Sequence, residues 1–230
     1  MNLTRTGRVG ALCWLAAAPV FLVASLVTGL RWREPTYSWA THNISDLGNV
    51  HWGSWDTTRP RYVCSPWHPL MNTATLATAV LLAVGLLLTW RILGRGPVVR
   101  SAQTLLLLAA GGYALAAGHP ADVDENLHVL GAFLIMGLGN VGLLLAGFAP
   151  SGTTLGRYRR LTLTAGLIAL AGTTLFAAQQ GLAIGVGGME RIAVLPFPLW
   201  ACCLGVSLAE PPPISTTETA RSTSWGRGGG

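Results

Sequence analysis

Six strongly apolar runs alternate with polar segments along the chain. They cover residues 9–30, 68–90, 101–117, 127–149, 161–178 and 189–209. An α-helix rises about 1.5 Å per residue, so a run of about 20 residues crosses the roughly 30 Å hydrocarbon core of a bilayer. The pattern predicts an all-α fold, a polytopic transmembrane bundle of six helices.

The polar segments differ in length and in composition. The first, residues 31–67, is the longest, and we expect it to form a long outer loop before the second helix. The last, residues 210–230, is rich in Pro, Ser, Thr and Gly and cannot bury a core. We therefore predict a transmembrane domain over residues 1–209 and a disordered cytoplasmic tail over residues 210–230.

The overall composition also indicates a membrane protein. Hydrophobic residues make up 51% of the 230 residues and charged residues only 10%, whereas soluble domains carry about 25% charged residues. The net charge of +6 comes from scattered arginines without a basic block, and the chain contains no lysine. We therefore expect membrane lipids as partners and no nucleic acid. The four cysteines form no CxxC motif, so neither a disulfide framework nor a zinc ribbon is indicated.

The positions of the arginines predict the orientation in the cell membrane. Cytoplasmic loops carry an excess of Lys and Arg, and arginines are concentrated in the termini and in the second and fourth loops. The first loop also holds four arginines, but it contains acidic residues as well. We expect both termini in the cytoplasm and the first and third loops outside.

This orientation places all five histidines at the outer face, together with most of the acidic residues. Ionisable groups near or within the membrane are costly unless they are used. We consider two groups of residues as candidates for an outward-facing His/Asp/Ser polar pocket. The catalytic candidates are Ser45, Asp46, His68, Asp122 and His128, and the ligand-binding candidates are Asn72, Glu190 and Arg191.

The spacing of these residues supports several arrangements. His68 and Asn72 are four residues apart and share one face of the second helix. Ser45 next to Asp46 is compatible with a nucleophile and its partner, but equally with a turn or a helix cap. His68, Asp122 and His128 could hold a zinc ion and its water, although no HExxH motif is present, so the metal and any cofactor stay open. Glu190 and Arg191 are expected to act as a pair at the head of the sixth helix.

Three functions are compatible with such a pocket. The first is binding of a ligand or lipid headgroup. The second is a membrane-embedded, metal-dependent lipid hydrolase. The third is a small-molecule permease, which is disfavoured because few polar residues lie at membrane depth. Whether the chain is an enzyme stays open at this point.

Five segments together resemble a family of bacterial integral membrane proteins, domain-of-unknown-function family 998. The segments are ISDLGN at 44–49, HPLMN at 68–72, HPADVDENLHVLGA at 119–132, GLGN at 137–140 and GGMERIAVLPFPLW at 187–200. The resemblance implies a six-helix membrane fold and no particular reaction. The ISDLG element is also similar to the first-loop ISDxG of the damage-regulated autophagy modulator proteins. The long first loop and the tail depart from the family pattern.

Overall fold

The computed structural model describes residues 3–209, so the predicted tail over 210–230 lies outside the described residues. Six helices in this part of the chain are long and apolar enough to cross a membrane. They are Arg5–Arg31, His68–Leu93, Pro97–Gly118, Glu125–Ala146, Arg159–Ala177 and Val186–Ala209. The prediction of a six-helix, multi-pass membrane protein is confirmed.

Some of these spans are divided into shorter elements. The first three are α1 (Arg5–Arg31), α2 (His68–Leu93) and α3 (Pro97–Gly118). The fourth consists of α4 (Glu125–Ala132), a π-helical segment (Phe133–Gly139) and α5 (Asn140–Ala146). The short α6 (Thr154–Arg157) precedes the fifth span, α7 (Arg159–Ala177), and the sixth consists of α8 (Val186–Val194) and α9 (Pro196–Ala209).

Local sequence signals explain where several helices begin. The Thr4 hydroxyl accepts a hydrogen bond from the Gly7 N–H at 3.2 Å, and the Asp124 carboxylate accepts one from the Leu127 N–H at 3.1 Å. Both bonds satisfy N–H groups that have no partner inside the helix. Pro69 and Pro97 lie in the first turns of α2 and α3, where a missing N–H costs nothing.

The six spans form a closed ring. Each span packs against the next one along the chain, and the sixth closes the ring by packing against both α1 and α7. Close approach depends on small residues: a side chain at Gly85 of α2 would collide with the buried Trp14 ring of α1, and one at Gly205 of α9 with the α1 backbone. Small residues at helix interfaces let membrane helices pack closely.

Proline in the sixth span leaves a backbone carbonyl for other helices to use. Pro198 has no N–H to bond the Val194 carbonyl four residues earlier, and the Tyr113 hydroxyl of α3 donates to that carbonyl at 2.7 Å. One residue earlier, the Asn140 Nδ2 of α5 donates to the Ala193 carbonyl at 2.9 Å. These bonds connect three spans at the point where α8 meets α9.

The long first loop is folded. Strands β1 (Gly53–Trp55) and β2 (Arg61–Val63) pair antiparallel, with Ser54 opposite Tyr62, and a 3₁₀ turn covers Ser45–Gly48. We call the end of the bundle that carries residues 32–67, 119–124 and 178–185 the hairpin end. The opposite end, which carries residues 94–96 and 147–158, is called the arginine end.

Candidate functional site

A cavity lies inside the ring at the hairpin end. It has about 560 Å³ of empty space, counting its open mouth. Its walls are mainly apolar and come from five spans; they include Phe21, Met71, Tyr113, Ala117, Ile135 and Val194. Four of the predicted site residues also line it: Ser45, Asn72, His128 and Glu190. The expected polar pocket is therefore an apolar cavity with a small group of polar side chains.

The 3₁₀ turn that carries Ser45 is held by a buried ion pair. Arg61 of β2 donates from Nε and Nη2 to the two carboxylate oxygens of Asp46, each at 2.6 Å. The Asp46 side chain is 1% exposed and that of Arg61 8%. The Asn43 N–H also donates to Asp46 Oδ2, at 2.8 Å. Asp46 thus connects the hairpin to the turn and does not line the cavity.

Asp56 extends this ion pair at its exposed side. It accepts from Arg61 Nη1 at 2.9 Å. Burial alone would lower the pKa of Arg61, but the hydrogen bonds and charges of Asp46 and Asp56 raise it above its ordinary value. Burial would raise the pKa of Asp56, but hydrogen bonds from the Thr58 N–H and Arg61 bring it below its ordinary value.

Three further hydrogen bonds hold the turn and its neighbours, one to Ser65 before α2 and two to the helices α2 and α8. The Ser65 hydroxyl donates to the Leu47 carbonyl at 2.7 Å, and the Asn72 Nδ2 of α2 donates to the Gly48 carbonyl at 2.9 Å. A side chain at position 48 would collide with the Asn72 Oδ1, so the close approach requires glycine. On the other side, the Ile44 N–H donates to the Glu190 Oε2 of α8.

Glu190 is a buried carboxylate without a cationic partner. The residue is only 5% exposed, and it takes part in no ion pair within residues 3–209. Its Oε2 accepts from the Ile44 N–H, and the Ser45 hydroxyl lies beside the carboxylate as a further donor. Because Glu190 lines the cavity and a carboxylate has about four lone-pair sites, it keeps acceptor capacity beside the cavity.

Arg191 does not pair with Glu190, which corrects our expectation. Consecutive helix residues point in different directions, and the Arg191 guanidinium instead donates to the carbonyls of Gly187 at 2.6 Å and His42 at 3.1 Å. It also bonds the Tyr37 hydroxyl and lies 5.2 Å from the centroid of the Trp39 ring. Arg191 therefore anchors the first loop to α8.

The anchored part of the loop is an aromatic cluster. The Tyr37 ring stacks on His42 with centroids 5.2 Å apart, and Trp32 lies 5.1 Å from Tyr37. Burial raises the pKa of Tyr37 well above its ordinary value, and the Arg191 charge lowers it only in part. The Gly187 N–H donates to the Ala40 carbonyl at 2.9 Å, which adds a backbone connection. His42 is also buried in this cluster.

His128 has one ring nitrogen in use. Its Nδ1 lies 2.9 Å from the His119 carbonyl oxygen. A carbonyl can only accept, so Nδ1 carries the hydrogen and Nε2 of the neutral ring is an acceptor. Because His128 lines the cavity and Nε2 makes no hydrogen bond to another residue of the described part, this nitrogen is available to a ligand.

Asp122 and His68 lie apart from this group. Asp122 Oδ2 accepts from the His51 N–H at 2.5 Å and lies 3.1 Å from its Nδ1, which joins the first loop to the third. His68 begins α2, and its half-buried side chain makes no hydrogen bond to any other described residue. Residues 3–209 contain no group of three His, Cys, Asp or Glu side chains placed to hold a metal. The expected set of His68, Asp122 and His128 is therefore not assembled.

A larger groove adjoins the cavity. It has about 1210 Å³ of empty space between the hairpin and α4, including open solvent. The groove and the cavity share Ser45, His128, Ala132, Met136 and Glu190. The polar side chains therefore lie where the apolar interior meets the solvent-facing groove.

Sequence reasoning missed two kinds of contributing residue. The apolar wall, such as Phe21 and Ile135, has the same residue types as the lipid-facing surface, so no sequence signal separates them. Arg61 was counted only as a topology signal, although it holds the turn. The available signal was the presence of both arginines and acidic residues in the first loop, but it does not specify which of them form pairs.

The chain was compared with protein families, curated proteins and solved structures. A family model described as "Protein of unknown function (DUF998)" matches residues 15–207. No curated protein and no solved structure matches the chain. The shorter similarity to the damage-regulated autophagy modulator proteins is not shown by these comparisons. Since the match covers most of the chain and agrees with the six-span fold, the chain belongs to the DUF998 family.

Proposed function

We propose that this protein binds an amphiphilic, lipid-like molecule, with the chain of the ligand in the cavity and its polar head beside Ser45, Asn72, His128 and Glu190. The observation that carries this proposal is the combination of an apolar interior with a buried, unpaired carboxylate at its polar edge. An ionisable residue at this depth indicates a functional site.

The lining of the cavity supports the proposal. Ligand sites have mainly apolar walls with a few placed polar groups, and this cavity combines an apolar wall with Ser45, Asn72, His128 and Glu190. Met71 and Met136 contribute flexible, unbranched side chains to the wall. Methionine adapts to irregular apolar shapes, which suits a hydrocarbon chain.

We also propose that the hairpin end faces the outside of the cell membrane and that both termini are cytoplasmic. The arginine end carries arginines in short loops, the segments to which the positive-inside rule applies. At the hairpin end, Arg61 is paired with Asp46 and Asp56, and Arg59 donates to the Asn43 side chain and the Thr41 carbonyl. Two of the four arginines of the first loop therefore have partners within the fold, which supports giving the short loops more weight in the orientation.

One observation favours hydrolysis as a second candidate function. The Nε2 of His128 is a free acceptor, and the Ser45 hydroxyl lines the same cavity. A histidine base and a serine hydroxyl are the parts of an acyl-transfer site. Turnover of a lipid ester by the purified protein, lost in Ser45→Ala, would support it.

A photoaffinity experiment tests amphiphile binding. The probe is a long-chain alcohol with a diazirine in its chain, added to purified protein in neutral lipid nanodiscs, and labelled residues are mapped by mass spectrometry. We expect labels on Met71, Ile135 and Met136. Ala132→Phe fills the cavity edge and should reduce this labelling about tenfold, which corresponds to roughly 1.4 kcal/mol.

The matched control is Ala171→Phe, because Ala171 is exposed on α7 and does not line the cavity. This variant should label as the wild type does. Labels confined to the lipid-facing surface, with equal yields in both variants, would contradict the proposal.

A further inference from the structure

We infer that the head of the bound amphiphile is a primary amine, held as an ammonium ion by Glu190 Oε1, Asn72 Oδ1 and His128 Nε2. The inference rests on the proposed function and specifies the ligand's chemical class. It follows from the hydrogen-bonding capacity that the fold leaves unused at the cavity.

Three side chains of the cavity share one feature: the protein satisfies one polar atom of each and leaves an acceptor. Glu190 Oε2 accepts from the Ile44 N–H, Asn72 Nδ2 donates to the Gly48 carbonyl, and His128 Nδ1 donates to the His119 carbonyl. Asn72 Oδ1 and His128 Nε2 make no hydrogen bond to the rest of residues 3–209. The Glu190 carboxylate has Ile44 and Ser45 as donors and still has free lone pairs. The three residues come from α8, α2 and α4, so three spans each contribute one acceptor.

The hydroxyl donors that line the cavity have partners in the protein. The Thr75 hydroxyl donates to the Met71 carbonyl at 2.8 Å, and the Tyr113 hydroxyl donates to the Val194 carbonyl at 2.7 Å. The Ser45 hydroxyl has the Glu190 carboxylate beside it as an acceptor. No arginine of the described part lines the cavity, since Arg61 and Arg191 are committed to the first loop.

The charges favour the same conclusion. A carboxylate or phosphate head would lie next to Glu190 without a cation to balance it, and a buried like-charge contact is unfavourable. A cationic head instead provides the partner that the buried carboxylate lacks. A primary ammonium has three N–H donors, which equals the number of free acceptors. A quaternary ammonium has the charge but no N–H to donate.

A competition experiment tests this inference. The diazirine alcohol labels the purified protein while dodecylamine, dodecanol, dodecanoate or dodecyltrimethylammonium competes for the cavity. We expect dodecylamine to compete at least about tenfold better than dodecanol, a difference of roughly 1.4 kcal/mol. Comparison between variants removes the effect of the different membrane partitioning of the four competitors.

The main variant is Glu190→Gln, whose amide oxygen can still accept from the Ile44 N–H. It should lose the preference for dodecylamine over dodecanol, measured as the ratio of their competition within that variant. The matched control is Glu125→Gln, because Glu125 is an exposed carboxylate at the same end that does not line the cavity. It should keep the preference. If Glu190→Gln does not fold, His128→Asn serves instead, since its amide can still donate to the His119 carbonyl while the Nε2 acceptor is removed.

The outcomes separate the two proposals. Absence of cavity labelling by the probe in wild-type protein would overturn amphiphile binding itself. Labelling with equal competition by amine and alcohol, or with a preference for dodecanoate, would overturn the amine inference alone. Equal competition by dodecylamine and dodecyltrimethylammonium would also overturn it, because charge without hydrogen bonding would then be sufficient.

Discussion

Removal of the Asp46 carboxylate should open the first loop. The Asp46→Ala variant leaves the Arg61 guanidinium, whose side chain is 8% exposed, without its two 2.6 Å hydrogen bonds. It also leaves the Asn43 N–H without its acceptor. Breaking a buried ion pair by deleting one partner costs about 3–5 kcal/mol. We expect this cost to appear as easier opening of the loop, because the pair connects the hairpin to the 3₁₀ turn.

Cys64 provides the assay for this opening. It follows β2 and is 7% exposed, so a water-soluble maleimide should reach it only when the loop opens. Burial, followed by the charge of Glu34, raises the pKa of its thiol, which slows the reaction further because the thiolate is the nucleophile. The other three cysteines are replaced by alanine so that Cys64 alone reports.

The expected rate follows from the free energy of opening. At about 1.4 kcal/mol per factor of ten, a loss of about 3–5 kcal/mol raises the opened population and the labelling rate by roughly 100- to 4,000-fold. Asp46→Asn combined with Arg61→Met keeps an acceptor for the Asn43 N–H. The only carboxylate that loses its partner is Asp56, which is partly exposed and so costs little, and the variant should regain most of the protection. The exposed Glu125→Ala is the control and should label as the parent does. An increase below about threefold in Asp46→Ala would refute this account, since the pair would then contribute no more than an exposed one.

Two further predictions concern the same loop. Arg191→Lys should raise Cys64 labelling by roughly tenfold. Lysine keeps the charge but loses the planar group that contacts Trp39 and donates to several carbonyls. The control Arg160→Lys, near the arginine end, should leave Cys64 labelling unchanged. Lowering the pH tests Asp56, whose pKa lies below its ordinary value: its contribution is complete above about pH 4 and is lost as pH falls through the lower folded pKa. Because only the thiolate reacts, each labelling rate is divided by that of the denatured protein at the same pH. Solvent screening keeps the Asp56 contribution small, so Asp56→Asn should reduce the acid-dependent rise in this ratio only slightly, and a rise beginning near neutral pH would contradict the assignment.

Two pairs of neighbours among the eight candidate residues show why the site was only partly predictable. Ser45 and Asp46 are adjacent and looked equivalent as partners, yet Ser45 lines the cavity and Asp46 faces Arg61. The direction of each side chain depends on the 3₁₀ turn that contains both residues and on the hairpin that packs against this turn. Glu190 and Arg191 separate in the same way, because neighbours on a helix point in different directions.

The zinc set shows a different limit. His68, Asp122 and His128 all belong to the hairpin end, as the topology predicts, but being at one end of a bundle does not bring side chains within ligand distance. The His119 carbonyl accepts a hydrogen bond from His128 Nδ1, and the Asp122 carboxylate accepts one from the His51 N–H. Sequence reasoning considered only the three members of the set and did not include these other hydrogen-bond partners.

The sequence by itself determined the membrane class, the six spans and the end of the bundle that carries the polar residues. Those features depend on hydrophobic length and on charge placement, which are properties of each segment alone. Only the tertiary structure decided that the first loop folds over the ring, which carboxylate is paired and which is left free, and that the site is an apolar cavity. Each of these depends on contacts between segments far apart in the chain, such as Ile44 with Glu190, and no local pattern encodes them.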